Sequence, residues 1–500
     1  VGSEMCIRDS YYNPQKVPPV VNHGTPEFPD YAATRYYSSD FTEKRMVSYF
    51  GRLGYNYKQR YLLEFTFRRD GSSTFGEGNR WANFPSVAVG WSFSEEPFIK
   101  RLTGGWLNWG KIRGSYGKSG QTFTSAYLAH GLMNIMDKSF FGKTGITTDK
   151  PVSPYLTWEK TRQYDLGLDM DMFNYRLNVK LDYYYKYTSS LIYDIPIPGS
   201  LYAFGAQVEN AMEISNEGLE LELQADILRE SAVSWRMKFN MARNWNRFEK
   251  SYSGKDVVDG DGTLLVVGRP LNGLYVWAHR GYYNSDAEVP RLYKIDGQEI
   301  YFNGVATNGI SGAVGDYRLL DLDGDGNPDS YYAGSPLPLA HGGWVNELMW
   351  KNFDLNVLVN FTIGRKMINN RMGLGFSRQS EDGHLTKLFD YRKLRPWDGV
   401  NKKPNAPAWG NSLSMNTDSA IEKVHHLALK QITLGYNLPD RISKKAGLSG
   451  VRFFLTAENL FYLSNYSGGN PEVVNIYTGR DNGDTYPLPR KYTLGLTLNF

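Results

Sequence analysis

The sequence predicts an all-β fold, the carboxyl-terminal portion of a large antiparallel transmembrane β-barrel. Three observations carry that prediction. The last ten residues, Lys491 to Phe500, alternate polar and apolar without a break and stop on an aromatic. Tyr492, Leu494, Leu496, Leu498 and Phe500 fall on one strand face, and Lys491, Thr493, Gly495, Thr497 and Asn499 on the other. A barrel needs such a strand, because its last strand closes the wall and leaves no free edge. The same alternation recurs upstream, with charges confined to one face. The connections alternate between short and long, as they do when antiparallel strands put successive loops on opposite sides of a membrane.

Composition narrows the class. The chain has 500 residues, 41% of them hydrophobic and 15% aromatic, with mean hydropathy −0.47. No stretch approaches the roughly 20 apolar residues of a spanning helix, which excludes a helical membrane protein. A soluble all-β protein and a transmembrane barrel remain, the latter because a wet lumen and loops keep its average polar. Thirty-six Tyr, 25 Phe and 12 Trp suit aromatic girdles, and sugar-binding surfaces use the same residues. A net charge of +4 is too small at this length to argue for nucleic acid. Cys6, the only cysteine, excludes a disulfide framework and a cysteine-ligated metal. No signal peptide is visible, and residues 1–10 resemble a translated sequencing-adapter read-through, set aside as a non-native leader. Residues 11–500 then begin in mid-protein as a partial barrel.

Taken in order, the strands read as follows. Val47, Tyr49, Leu53, Tyr55 and Tyr57 share a face opposite Ser48, Arg52 and Asn56; Tyr61, Leu63, Phe65 and Phe67 oppose Glu64, Thr66 and Arg68. Val87, Val89, Trp91 and Phe93 oppose Ser86, Ala88, Gly90 and Ser92. Tyr164, Leu166, Leu168, Met170 and Met172 oppose Asp165, Gly167, Asp169 and Asp171, and Leu177, Val179, Leu181, Tyr183 and Tyr185 oppose Asn178, Lys180, Asp182 and Lys186. Leu219, Leu221 and Leu223 oppose Glu220, Glu222 and Gln224; Trp235, Met237, Phe239 and Met241 oppose Arg236, Lys238 and Asn240. Phe353, Leu355, Val357, Val359 and Phe361 oppose Asp354, Asn356 and Asn360, and Val451, Phe453, Leu455 and Ala457 oppose Arg452, Thr456 and Glu458. Segments 111–117, 342–350 and 427–436 are less regular.

A soluble sandwich also alternates, but its strands are usually about five or six residues. These run nearer the 9–11 of a tilted membrane strand. Placing the charges on one face matters, because Arg or Lys on the lipid face costs about 2–4 kcal/mol at the bilayer midplane. Short connections fall at 58–60, 173–175, 226–233 and 351–352, and moderate ones at 95–110 and 437–450. Long ones fall at 70–83, 118–160, 188–216, 246–340, 363–426 and 464–490, the last five being the expected extracellular loops. Aromatics gather beside the short turns: Tyr55, Tyr57 and Tyr61; Phe173 and Tyr175; Trp350 and Phe353. Amphipathic rings settle at headgroup level, so these suit a periplasmic girdle.

Many ordered stretches then carry a resemblance. They are Tyr49-Phe50-Gly51-Arg52-Leu53 through Phe67-Arg68-Arg69-Asp70-Gly71-Ser72-Ser73, Asn79-Arg80-Trp81-Ala82-Asn83-Phe84-Pro85-Ser86 and Arg113-Gly114-Ser115-Tyr116-Gly117. Further along come Gly315-Asp316-Tyr317-Arg318 to Asp325-Gly326, Gly334-Ser335-Pro336-Leu337-Pro338 and Ile432-Thr433-Leu434-Gly435-Tyr436-Asn437-Leu438-Pro439. Glu458-Asn459-Leu460-Phe461 and Pro487-Leu488-Pro489-Arg490 complete the set. After residue 40 the chain resembles the SusC/RagA family of TonB-dependent outer-membrane transporters. The resemblance implies a wall of roughly 22 strands around an amino-terminal plug. This chain would supply only the later part of that wall, with plug, signal peptide and TonB-contacting segment upstream. It also implies a SusD-like surface lipoprotein as partner, the TonB complex as energy source, and an oligosaccharide or peptide as cargo in the Gram-negative outer membrane. A passive porin or adhesin barrel shares every strand pattern but lacks the plug. A secreted β-rich glycan-binding protein would instead pack its apolar faces sheet on sheet.

Few motifs point to chemistry. Asp321, Asp323, Asp325, Asn327 and Asp329 place oxygens at alternate positions around a glycine at the sixth, which suits a structural Ca²⁺. Tyr332 stands where an EF-hand would put its bidentate acid, and the alternative is a metal-free Asp/Gly turn. No cofactor is required. Asp259-Gly260-Asp261-Gly262 reads as a hairpin turn. His425 and His426, adjacent on a strand, face opposite ways and cannot form one site. Acid pairs such as Glu220 with Glu222 and Asp169 with Asp171 imitate glycosidase carboxylates, but a hydrated lumen explains them. No catalytic residue is expected. Trp277, Tyr282, Tyr283, Trp397, Trp409 and Tyr466 are candidate sugar platforms, since a ring stacks on the apolar side of a pyranose; loop packing is the competing role.

Overall fold

The structure is a computed structural model that describes residues 2–12, 37–122, 126–131, 133–140, 143–148, 151–202, 204–258, 264–289, 291–293, 299–301, 314–324, 329–370, 395–400, 403–408, 417–445, 447–483 and 485–500. Its centre is one sheet of long strands ordered as they occur in the chain. They are β1 (Gly2–Tyr12), β2 (Tyr37–Tyr57), β3 (Tyr61–Ser72), β4 (Trp81–Trp91), β5 (Leu107–Gln121), β6 (Glu159–Met172) and β7 (Leu177–Pro196). They continue with β8 (Ala206–Leu228), β9 (Val233–Lys250), β10 (Ala340–Trp350), β11 (Phe353–Asn369), β12 (Ile421–Asn437), β13 (Gly450–Ser464) and β14 (Lys491–Asn499). Sequential antiparallel pairing of this kind is a meander, the topology of an up-and-down barrel wall.

All thirteen predicted strands are present, and most run longer than predicted. Strand β8 covers 23 residues and β7 covers 20. Their extra length takes up most of the loop expected at 188–216, which leaves only residues 197–205 as the connection. The pattern fades there because, once a strand leaves hydrocarbon, both faces meet water. Residues 2–10 of the segment given no element above lie within β1, which pairs antiparallel with β2 from Gly2↔Val47 to Tyr12↔Tyr37. Backbone pairing at a sheet edge makes little demand on side chains.

The chain divides into two compact units. One comprises Val1–Gly90, Gly114–Tyr164 and Lys186–Ile214; the other comprises Trp91–Arg113, Asp165–Tyr185 and Ser215–Phe500. In the first, Trp158 is 2% exposed and packs against Phe75 and Phe84 at ring distances of 4.9 and 5.5 Å. Its Nε1 donates to the Arg80 carbonyl at 3.1 Å. In the second, two small cores form beneath the loops, around Val276 and Ile368 and around Met367 and Val424.

The strands themselves are turned inside out relative to a soluble sheet. Leu494 is 81% exposed, Leu53 70%, Leu166 57% and Leu455 48%. Along β3 the apolar Tyr61, Leu63, Phe65 and Phe67 are exposed, while Leu62, Glu64 and Thr66 between them are half-buried. In the second unit, register aligns Leu348, Leu355, Leu434, Leu455 and Leu494 in one row across five strands. No second sheet among the described residues covers that row, so a sandwich is excluded and the apolar face meets lipid.

Cross-strand charge pairs hold the opposite face. Arg52 bonds Glu64 at 2.5 Å, Arg113 bonds Asp169 at 3.0 Å and Asp182 at 2.5 Å, and Lys180 reaches Glu222 at 3.4 Å. Arg236 meets Asp226 at 2.6 Å, Lys238 meets Glu347 at 2.7 Å, and Lys491 meets Glu458 at 3.7 Å. Asp354 and Arg452 pair at 2.5 Å although β12 lies between their strands. Gly435 makes that possible: a Cβ there would sit 2.4 Å from Asp354 and 2.6 Å from Arg452. These partners account for Glu222 and Asp169, two of the acids that imitate a catalytic pair.

Rings flank the short turns as expected. Tyr55, Tyr57 and Tyr61 follow one another at 6.5 and 6.4 Å, and Trp350, Phe353 and Tyr436 at 6.3 and 4.7 Å. Lys58 sits over Tyr57 and Lys351 over Trp350, each 5.1 Å from the ring centre, as cations do at a membrane interface. The connection before β5 holds a short helix, Pro97–Thr103, with proline in its first turn and left-handed Gly104 at its end. No helix among the described residues is long and apolar enough to cross a membrane.

Candidate functional site: the outer loops of the second unit

The long connection between β9 and β10 is built of short strand pairs pinned to the segment just before β12. Leu274–Trp277 pairs with Ser330–Gly334, and His279–Tyr282 pairs with Tyr317–Leu319. Trp277 bridges to Thr417, His279 Nδ1 contacts Asp418 Oδ1, and Tyr331 Oη donates to Asp418 Oδ2 at 3.1 Å. Val257–Val258 and Leu264–Leu265 pair on either side of the predicted Asp-Gly hairpin, whose own residues lie outside the described set.

This framework gathers three of the predicted aromatics around Gly315. Tyr283 N donates to Asp316 O at 3.0 Å, Gly315 N to Tyr283 O at 2.8 Å, and Ala408 N to Gly315 O at 2.9 Å. Gly315 has φ +89, and a Cβ there would stand 2.5 Å from Ala408 and 2.7 Å from the Trp397 ring. Trp397 Nε1 donates to Asn284 Oδ1 at 3.3 Å, and Tyr282 stacks on Tyr317 at 5.3 Å. Burial raises the Tyr282 phenol above its ordinary value and pushes Tyr275 up to about 12. Both stay protonated at neutral pH; the Tyr282 hydroxyl bonds Tyr317, while the buried Tyr275 hydroxyl has no hydrogen-bond partner among the described residues.

Not every predicted platform presents a free ring. Trp277, Tyr282 and Trp397 are half-buried with accessible surface. Tyr283 is only 5% exposed and Tyr466 only 8%, with Tyr466 Oη donating to Asp481 Oδ2 at 2.8 Å. Those two rings pack the loops. Trp409 lies outside the described residues, as do Asp325 and Asn327 of the acidic loop. Of the rest, Asp321, Asp323 and Asp329 bring one carboxylate oxygen each within 4.8 Å of one another. Asp329 Oδ2 accepts from Leu322 N at 2.5 Å and Asp323 N at 3.1 Å, and Asp321 Oδ1 accepts from Gly324 N at 2.6 Å.

Sequence reasoning missed the strap that ties the last long loop to the sheet. Arg365, 7% exposed, donates to the carbonyls of Pro471, Val474 and Asn475 at 3.2, 3.0 and 2.7 Å. Asn370 Nδ2 donates to Asn482 at 2.7 Å. Glu472 lies 3.4 Å from His426 Nε2 and accepts from Lys430 at 3.1 Å, while His425 faces away from His426 as strand alternation requires. The approach of His426 Nε2, aided by the hydrogen bond from Lys430, holds the Glu472 carboxyl below its ordinary 4.5. A depressed carboxylate stabilises the fold fully above its ordinary value and loses that contribution as pH falls through the lowered one. Acidification below about pH 4.5 should therefore free residues 465–475, read as faster amide exchange there, and Glu472→Gln should abolish that pH dependence.

The family described as TonB dependent receptor-like, beta-barrel matches residues 7–332. The chain is 32% identical over 491 residues to TonB-dependent receptor P26 of Formosa agariphila, covering 93% of this chain and 47% of that protein. It is 29% identical over 491 residues to TonB-dependent receptor SusC of Bacteroides thetaiotaomicron, covering 94% and 45%. The structure of the RagAB peptide transporter superposes with TM-score 0.76 at 24% identity, over 93% of this chain and 49% of that one. The chain thus spans just under half the length of these relatives. An exposed apolar wall face, an ion-paired opposite face and this match over most of the chain agree: it belongs to the TonB-dependent receptor-like β-barrel family of the outer membrane.

Proposed function

We propose that the whole protein imports oligosaccharides across the outer membrane, driven by TonB and assisted by a SusD-like surface lipoprotein. Cargo would be captured between the outer loops and that lipoprotein, then pass down a lumen opened when TonB displaces an upstream plug. The observation that carries this is the pairing of a lipid-exposed apolar wall with an outer-loop cluster that presents Trp277, Tyr282 and Trp397, the last two bonded to Asn284. Such rings stack on a pyranose while an amide serves its hydroxyls. No bond is made or broken in this role, and the relatives are receptors. Peptide cargo is the second reading, favoured by the likeness to the RagAB peptide transporter.

Uptake of a labelled oligosaccharide by cells making the full-length protein tests the proposal. Uptake should fall to background when TonB is removed, and Trp397→Ala should lower it about five- to tenfold by losing one stacking contact and its bond to Asn284. Uptake that is indifferent to TonB would overturn the reading. We further propose that Asp321, Asp323 and Asp329, with Asp325 and Asn327, hold a structural Ca²⁺ that shapes this face. Calcium at one hundred times its Kd should add about 2.7 kcal/mol to loop stability, and Asp321→Asn should erase that gain in a chelator-reversible melting assay.

A further inference from the structure

The lipid-facing surface is not uniformly filled. Across β9 to β13 it holds a depression of about 790 Å³. Register sets its walls: Phe239 lies opposite Trp344, Met241 opposite Gly342, Gly342 opposite Phe361, and Phe361 opposite Leu427. All belong to the apolar face. The Phe239 and Phe361 rings stack at 5.9 Å from either side of β10, which at position 342 offers no side chain to fill the space. Hydrocarbon is the solvent here, and a gap in the wall forfeits dispersion contacts unless a chain enters it.

Toward the outer strand ends the lining turns polar. His425 N donates to Asn465 Oδ1 at 2.7 Å, and Ser464 Oγ donates to His425 O at 3.0 Å. One step further along the same faces, at the two-residue period of a strand, stand exposed Lys423 on β12 and exposed Arg243 on β9. Grease below and cations above match an amphiphile with a negative head. We propose that this groove seats an acyl chain of an anionic lipid of the surrounding outer leaflet, its negative head drawn to Lys423 on one flank and, on the other, to Arg243, whose guanidinium lies 4.4 Å from the Trp245 ring centre. The inference needs only the outer-membrane placement; it stands whether or not oligosaccharide is the cargo.

The test uses full-length protein in phosphatidylcholine vesicles carrying increasing fractions of phosphatidylglycerol with brominated chains. Quenching of Trp344, isolated by subtracting the Trp344→Phe signal, should saturate with the anionic lipid. It should rise only in proportion to mole fraction when the brominated chains are on phosphatidylcholine. Lys423→Glu and Arg243→Glu should each lower the preference for the anionic lipid about five-fold. The comparison of the two lipids needs neither charge-reversal variant, only the conservative Trp344→Phe reference, so a misfolded Lys423→Glu or Arg243→Glu leaves the test intact. Quenching proportional to mole fraction for both lipids would overturn the proposal. So would a signal that appears only with the acyl anchor of a co-purifying lipoprotein.

Discussion

Replacing Leu455 by Arg in the full-length protein is expected to cost about 1–2 kcal/mol of barrel stability, measured by urea titration in lipid vesicles, because its row lies two residues inside the aromatic girdle, between the midplane cost of about 2–4 and the interfacial cost of about 0–1 kcal/mol. Leu455 is 48% exposed and sits in the row Leu348, Leu355, Leu434, Leu455, Leu494, where each neighbour is apolar. In a soluble sheet an exposed leucine is a tolerant position, and a charge there changes stability by under about 0.5 kcal/mol. In hydrocarbon the guanidinium has no water and no acid within its row. Thr493→Arg, one position along β14 on the other face, is the control and should cost little. Equal, small effects from the two substitutions would mean that the leucine row does not face lipid.

Trp158→Ala is expected to lose about 3–5 kcal/mol, and to lose it locally. The ring is 2% exposed, touches Phe75 and Phe84, and gives its indole hydrogen to the Arg80 carbonyl. Truncation removes the largest fully buried side chain among the described residues and leaves both a cavity and an unpaired carbonyl. This cluster also draws on Leu156 and Val208, which belong to loop and strand-end segments of the first unit. Limited proteolysis should therefore open sites near 73–80 and 151–158 while the heat-modifiable band persists. Trp158→Phe should recover most of the protection, since it restores ring packing but not the hydrogen bond.

The wall was legible from sequence wherever lipid touches one face and water the other. Leu494, Leu496 and Leu498 against Thr493, Gly495 and Thr497 fix face and register together, because a one-residue slip would turn every leucine inward. The outer ends of the strands were not legible. Residues 206–216 form the start of β8, yet Glu209, Asn210, Glu213 and Ser215 put polar groups on both faces. The acidic loop was legible in part, since Asp321, Asp323 and Asp329 do converge. The aromatic candidates were the least legible. Composition cannot tell half-buried Trp397 from buried Tyr466, whose environment is set by Asp481 and by Arg365 acting through the backbone of residues 471–475. His279 and Asp418 meet across 139 residues, a separation no local pattern encodes.

Strands β9 and β11, at 18 and 17 residues, are far longer than a bilayer requires. At about 3.3 Å per residue and a tilt near 40°, they climb roughly 45 Å, against about 30 Å of hydrocarbon. The surplus of about 15 Å is a stiff stalk. Whatever the loops grasp is met above the headgroups, and the lipid-anchored partner proposed above would have to span that height. Fully extended, the shortest adequate leash is about five residues.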